Sequence, residues 1–404
     1  MHPGRALLVA VSLAALAALA ACDALLTGAP DAGDLFDSPF PDLTPAELAA
    51  FVEGDRAFGQ AFAPRDGLGP IFNNVSCASC HSGDGRGVLS NALTRFSLGT
   101  DPALDLGGPQ LQDRAIPGAE PEVLPNGVDV TLRLPPPVFG VGLIEAIPDA
   151  AILANADSAD ADGDGISGRP NWVSPPEFVP ATEPGGGADP RIGRFSRKAQ
   201  VASILHQTVA AYHQDIGITS DFEPVENRNP RASVATEVAD HVSDPEIGAR
   251  TVRAVVNYLR MLAPPDPGPV TAARQRGSAL FDSTGCAACH VPVLTTGPHA
   301  IAALANQPAR LYSDLLLHDM GDGLADNRPD GGADGREWRT APLWGLRLVG
   351  RFLNGQELYL HDGRARSLEA AVLLHGGEAQ GARDRFAALG ASDRAALLDF
   401  AGSR

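Results

Sequence analysis

Two short segments of this 404-residue chain carry the residue types and spacing of a covalent haem site. Cys77-Ala78-Ser79-Cys80-His81 and Cys286-Ala287-Ala288-Cys289-His290 each set two thiols three positions apart with a histidine directly after. Thiols so spaced reach both vinyl groups of one porphyrin, and the imidazole comes to lie beneath the iron. A zinc site or a thioredoxin-like dithiol would also use C-x-x-C, but the histidine following both pairs and the lack of a βαβ pattern around either count against them. The expectation is two covalently bound haem c groups, held by Cys77, Cys80, Cys286 and Cys289, with His81 and His290 as iron ligands. The fifth and last cysteine is Cys22, so none remains for a disulfide in an exported protein.

Other residues offer chemistry on their own. Glu145 stands in an otherwise apolar run and is a candidate general acid–base, because a buried carboxyl gains a raised pKa and can shuttle a proton. The plainer reading pairs it with an arginine such as Arg169. Asp160, Asp162 and Asp164 alternate ahead of Gly165, the first half of a calcium loop, but position twelve is Asn171, so the bidentate closure is missing and an Asp-rich turn without an ion is an equal reading. His81 is followed by no histidine until His206. His206, His213 and His318 are the candidates to approach the first iron. The spacing of seven between His206 and His213 also suits a helix with structural histidines.

These residues need a scaffold. Thr44-Pro45-x-Glu47 reads as a helix start ahead of the first motif. Ser243-Asp244-Pro245-Glu246 reads as the cap of a closing helix through Val252, Val255, Val256 and Leu259, stopped by Pro264-Pro265. The plan repeats from Gly277 to Phe281 into the second motif, with a terminal helix capped near Ser392 and carrying Leu397, Phe400 and Ala401. The expected fold is mainly α with long loops, as two cytochrome c-like domains. Residues 44–263 form the first, with a large insertion; 264–269 a Pro-rich linker; 270–404 the second. The 44 glycines, 34 prolines and 5% aromatics suit short helices on long loops.

Residues 1–22 read as a targeting segment and 23–43 as a linker. Arg5 precedes a 16-residue apolar run from Ala6 to Ala21, too short for a comfortable membrane span. Leu19-Ala20-Ala21-Cys22 looks like a bacterial lipobox, which would put a lipid anchor on Cys22 and the chain on the periplasmic side of the cell envelope; ordinary signal cleavage is the alternative. The net charge of −18 argues against nucleic acid and against an anionic bilayer as a binding surface. It favours a basic partner, such as a basic cytochrome donating electrons, or is simply a soluble acidic surface.

The chain resembles the bacterial di-haem oxidoreductases, also called thiol-oxidoreductase-like proteins or di-haem peroxidases, over nearly its whole length past Cys22. The resemblance rests on the stretches 76–87, 142–148 and 162–169, on Lys198-Ala199-Gln200, Asp215-Ile216-Gly217-Ile218-Thr219 and His318-Asp319-Met320-Gly321, and on 339–345 and 375–379. It implies two haems with unequal roles. The stretch from Tyr359-Leu360-His361-Asp362-Gly363 onward looks like the di-haem peroxidase segment whose second axial ligand, typically Met, lies 14 residues past its His. Here that position is His375, which the resemblance makes the second ligand of the second iron; a helix-end histidine beside Gly376 is the alternative. His361 is balanced between a site role and a surface loop, and Trp338 or Trp344 between inter-haem transfer and core packing. The implied function is an oxidoreductase in which haem 2 relays electrons to haem 1, where a small oxidant such as hydrogen peroxide is reduced. A non-catalytic electron carrier with both irons fully ligated is the competing class, and oxidation of an organic or protein substrate a third. A thiol oxidoreductase activity finds no free cysteine to act with.

Overall fold

Thr44 opens the first helix as the sequence predicts: its backbone N–H donates to Glu47 Oε2 at 2.7 Å, and Glu47 N–H returns to Thr44 Oγ1 at 3.3 Å. This is a computed structural model describing residues 31–81, 83, 85, 87–233 and 239–404. Cys22 and the apolar run before it lie outside the described residues. Among the described residues no helix is long and apolar enough to cross a membrane.

The chain is mainly helical with long loops, and its sheets are two-stranded ribbons. In chain order the helices that position the site are α1 (Pro45–Phe58), α2 (Val141–Ala146), α3 (Ile204–Ala211), α4 (Ala249–Met261), α5 (Ala272–Ser283), α6 (Leu368–Leu373), α7 (Gln380–Ala387) and α8 (Ala391–Gly402). The ribbons that matter are β1 (Leu93–Ser97) with β2 (Asp129–Arg133), and β3 (Leu317–Asp319) with β4 (Glu337–Arg339), both antiparallel.

The same helix crossing occurs twice. Helix α1 packs on α4 through Gly54, where a Cβ would lie 2.2 Å from the Ala254 carbonyl oxygen and 2.6 Å from the Tyr258 Cβ. Helix α5 packs on α8 through Gly277, where a Cβ would lie 2.1 Å from the Ala396 oxygen and 2.6 Å from the Phe400 Cβ. In each case a glycine ahead of the haem motif lets the closing helix approach at backbone distance, against residues four apart on one helix face. One core cluster nevertheless draws on both sides of the Pro-rich segment, with Val255 and Leu259 before it and Leu311, Leu315 and Leu316 after it. A smaller cluster of Phe281, Phe386, Leu397 and Phe400 sits under α5 and α8.

Two expected caps are not caps. Helix α4 begins at Ala249 behind Gly248, because the Glu246 carboxylate instead accepts from Thr219 N at 2.6 Å and from the Thr219 hydroxyl. Helix α8 begins at Ala391 behind Gly390, which leaves Ser392 inside its first turn.

Strand β2 is turned inside out relative to its hydropathy. Val130 and Leu132 face solvent while Thr131 and Arg133 are buried. The inward face meets an ion network: Arg133 pairs with Asp326 at 2.7 Å and Asp330 at 2.8 Å, Lys198 with Asp326 at 2.7 Å, Arg95 with Asp330 at 3.6 Å, and Arg328 with Asp330.

Candidate functional site

The second motif is positioned by α5, which ends at Ser283. Gly285 at φ +84 reverses the chain into the turn Cys286–Ala288, and His290 N–H donates to Cys286 O at 3.0 Å. This turn faces a cavity of about 470 Å³, within the size range of small-molecule and cofactor sites. Cys286, Cys289, His290 and His375 all line it.

The two histidines are held alike. His290 Nδ1 donates to the Tyr312 carbonyl at 2.9 Å, and His375 Nδ1 to the Ala371 carbonyl at 2.7 Å. A carbonyl can only accept, so each ring carries its proton on Nδ1 and keeps the Nε2 lone pair free, the arrangement that orients and strengthens an imidazole ligand. Burial holds the His290 pKa down at about 4 and depresses that of His375, which keeps both rings neutral. His375 is delivered by α6, whose N-terminus Ser367 caps by accepting from Ala370 N at 3.1 Å.

The remaining walls also suit a haem. Phe281, Leu343, Leu346, Leu368, Val372 and Leu397 are apolar, and Arg197, Arg339, Arg383 and Arg385 would supply positive charge to the propionates of such a group. Burial pushes the Cys286 thiol up, and that of Cys80 to about 11, away from the thiolate that a redox dithiol requires.

The first motif is built similarly and ends differently. Ser76 caps its turn by accepting from Ser79 N at 3.1 Å, and His81 N–H donates to Cys77 O at 3.0 Å. Burial, partly offset by the backbone of Gly85 and Pro136, holds His81 at about 4. Its Nδ1 is buried with no hydrogen-bond partner among the described residues. A π-turn, Tyr212–Ile216, packs against this motif: the Asp215 carbonyl accepts from Asn73 and Asn74 N–H at 2.9 Å each, and Asn74 Nδ2 reaches Cys80 Sγ at 3.4 Å. The Asp215 carboxyl accepts from Gln110 Nε2 at 2.6 Å, and burial pushes it up to about 6.

Other expected residues fall in different places. His318 does not approach the first motif; it lies 3.7 Å from Cys289 Sγ on the second cavity. Its Nε2 bonds Asp314 at 2.8 Å and its Nδ1 bonds Glu378 at 2.7 Å, so both ring nitrogens are engaged by carboxylates, while Cys289, Asp314 and His318 each bring one ligand atom within 4.8 Å of the others. Burial opposes its charge, but the bonds from Asp314, Cys289 and Glu378 raise its pKa to about 12. Both oxygens of Glu145 are engaged, Oε1 by Ile204 N at 2.8 Å and Oε2 by Arg260 Nε at 2.6 Å. The partner is Arg260; Arg169 pairs with Glu337. Glu145 thus caps α3 and neutralises an arginine, rather than standing free for proton transfer. His206 packs edge-on against Phe178, and His213 Nε2 donates to Val225 O at 2.8 Å.

Asp160 and Asp162 come together with Asp157, which the alternating pattern did not single out, one oxygen from each within 4.8 Å of the others. Asp164 instead accepts from Ile166 N and borders the cavity. Asn171 points away from this loop, donating to Lys198 O at 2.8 Å and Asp330 O at 3.1 Å.

The structure adds a link that the sequence did not announce. Trp338 and His361 stack with ring centres 3.8 Å apart, and both line the cavity. Lys198 Nζ sits 4.5 Å from the Trp338 ring centre. Leu134 N–H donates to His361 O at 2.9 Å, Arg197 Nη2 to Leu134 O at 2.9 Å, and Gly87 N–H to Pro135 O at 3.0 Å. Residues 134–136 thereby run from the second cavity to the first motif. Trp344 packs in the core.

The family described as "Di-haem oxidoreductase, putative peroxidase" matches residues 23–118 and 118–404. The chain belongs to this family. As a di-haem oxidoreductase it has no match among curated proteins. Among solved structures it is similar to hydrazine synthase of Kuenenia stuttgartiensis, at 15% identity and a TM-score of 0.40, covering 93% of this chain and 92% of that one. It is also similar to a MauG-like protein associated with microbial copper homeostasis, at 18% identity and a TM-score of 0.31, covering 66% and 88%.

Proposed function

We propose that this di-haem oxidoreductase binds haem covalently at both motifs and that its two sites do different work. Haem held there would supply one-electron chemistry, the second group relaying electrons to the first, where a small oxidant such as hydrogen peroxide is reduced. The observation that carries this reading is the unequal endowment of the two irons' ligands. His290 and His375 share one cavity, each fixed through Nδ1 to a carbonyl, which suits a six-coordinate relay. Among the described residues His81 Nδ1 meets no carbonyl of that kind, the Gly85 and Pro136 backbone acting on the ring instead. Of the histidines weighed for its iron, His318 is held by carboxylates, His206 packs on Phe178 and His213 bonds Val225. Residues 134–136 and the Trp338–His361 stack support a route between the sites.

The remaining expectations complete the proposal. Cys22 would carry the lipid anchor, with the chain on the periplasmic side of the envelope, and a basic donor protein would meet its acidic surface.

The test is electron paramagnetic resonance of the oxidised protein combined with rapid mixing of the reduced protein with hydrogen peroxide. One low-spin bis-imidazole signal, one cyanide-sensitive signal and fast reoxidation are expected. Two low-spin signals, no carbon monoxide binding and no reaction with peroxide would instead make the protein a non-catalytic carrier.

A further inference from the structure

The chain has three methionines: Met1, Met261 in the core at 2% exposure, and Met320. Met320 follows β3 two residues after His318, and it lines the same cavity as His290 and His375. Its N–H donates to Arg336 O at 3.0 Å, continuing the β3–β4 pairing by one residue. The segment carrying it is pressed against the segment that follows His375. A Cβ on Gly376 would lie 3.0 Å from the Met320 oxygen, one on Gly377 2.1 Å from the Asp319 oxygen, and one on Gly321 2.8 Å from Gly377 N. Three glycines thus let two backbones touch, which brings the chain segments of Met320 and His375 together at the cavity that both residues line.

Few other groups there can coordinate iron. His318 has both nitrogens occupied, Glu378 is committed to His318 and Ser167, the His361 ring is stacked on Trp338, and Tyr359 and Asp164 offer hard oxygen rather than soft donors. A methionine thioether carries no proton to lose, turns about three side-chain bonds and is a soft iron ligand. The geometry points to Met320 as a reserve axial ligand of the second haem iron, taking the coordination position when the His375 imidazole leaves it. One iron–nitrogen bond breaks and one iron–sulfur bond forms; no electron or proton is exchanged. The swap raises the potential of that centre, since thioether in place of imidazole does so. It makes the relay adjustable between two potentials. This inference rests on the reading of His375 as the resident ligand.

The test uses the full-length, haem-loaded protein and the variants His375→Ala, Met320→Leu and the double variant, followed by near-infrared absorption, paramagnetic resonance and potentiometry. His375→Gln replaces His375→Ala if the latter fails to fold. In His375→Ala the second haem is expected to stay low-spin, gain the sulfur-to-iron charge-transfer band and rise in midpoint potential. In the double variant the band is lost and the iron becomes high-spin, while Met320→Leu alone leaves the spectrum unchanged. A high-spin iron in His375→Ala, indistinguishable from the double variant, overturns Met320 as the reserve while leaving His375 as ligand. A wild-type spectrum that His375→Ala does not alter, or a sulfur band already present in the wild type, overturns both.

Discussion

His318 and Glu378 meet at 2.7 Å across sixty residues of sequence, and the contact ties strand β3 to the segments of Glu378 and Ser167 around the second cavity. Glu378 also accepts from the Ser167 hydroxyl at 2.6 Å and from Asp319 N at 3.2 Å. Hydrogen bonds from His318 and Ser167 overcome burial and pull its carboxyl down to about 2, while His318 is raised to about 12. The raised histidine contributes fully below its ordinary value of 6.5 and loses its contribution as pH climbs toward 12. The depressed carboxyl contributes fully above 4.5 and loses its contribution as pH falls toward 2. The clasp is therefore strongest between pH 4.5 and 6.5. Denaturant midpoints measured across pH should peak in that window, and Glu378→Gln should remove the fall on the acid side while Asp314, which also raises His318, preserves much of the alkaline one; an unchanged acid limb in the variant refutes the clasp.

The repeated helix crossing sets a second expectation. Gly54→Ala and Gly277→Ala each drive a methyl into the backbone of the facing helix, and overpacking of this kind costs about 1–3 kcal/mol. The intrinsic helix gain from Gly to Ala, about 1 kcal/mol, does not cover it. Gly59→Ala is the control, because its Cβ would meet nothing closer than 3.5 Å and its φ of −78° suits any residue. Urea midpoints should fall for the first two and hold or rise for the third.

Glu145 separates a structural carboxylate from a catalytic one. Glu145→Ala leaves Arg260 with Glu183 alone and the Ile204 N–H without its acceptor, and breaking a buried pair in this way costs about 3–5 kcal/mol. Glu145→Gln keeps an acceptor for Ile204 and loses less. In either variant that remains folded, the pH profile of peroxide turnover should keep its shape while the melting temperature falls. A profile that loses one limb in Glu145→Gln would restore the acid–base role.

What could be read from the sequence was local. Thr44 with Glu47, the thiol spacing and the histidine next to each pair are signals that act over a few residues, and the Thr44–Glu47 capping box forms as expected. What escaped depends on long-range pairing. Nothing near Glu145 indicates that its partner is 115 residues away, nor does His361 announce Trp338. Strand β2 is the clearest case. Its Val-Thr-Leu-Arg alternation would turn Val130 and Leu132 inward, yet the buried ion network claims Arg133 and reverses the strand. His318 was legible as a chemical residue but not as a saturated one, because its carboxylates come from Asp314 and the distant Glu378.

That ion network gives the last prediction its sign. Arg95, Arg133, Lys198 and Arg328 face Asp326 and Asp330, and Arg95 also meets the buried Asp215 carboxyl, so four cations outnumber three carboxyls and buried positive charge is in excess. Removing a cation and removing an anion are then unequal injuries. Lys198→Met deletes bonds to Arg328 O at 2.8 Å and Asp334 O at 2.6 Å, and each stranded carbonyl costs about 1–3 kcal/mol, but the excess of charge shrinks. Asp326→Asn strands Lys198 and weakens Arg133, and an uncompensated buried charge costs about 3–5 kcal/mol. Asp326→Asn should therefore lower the urea midpoint more than Lys198→Met, and the double variant should recover part of the loss. If the single variants rank in the opposite order, the excess charge is balanced by a group outside the seven side chains named.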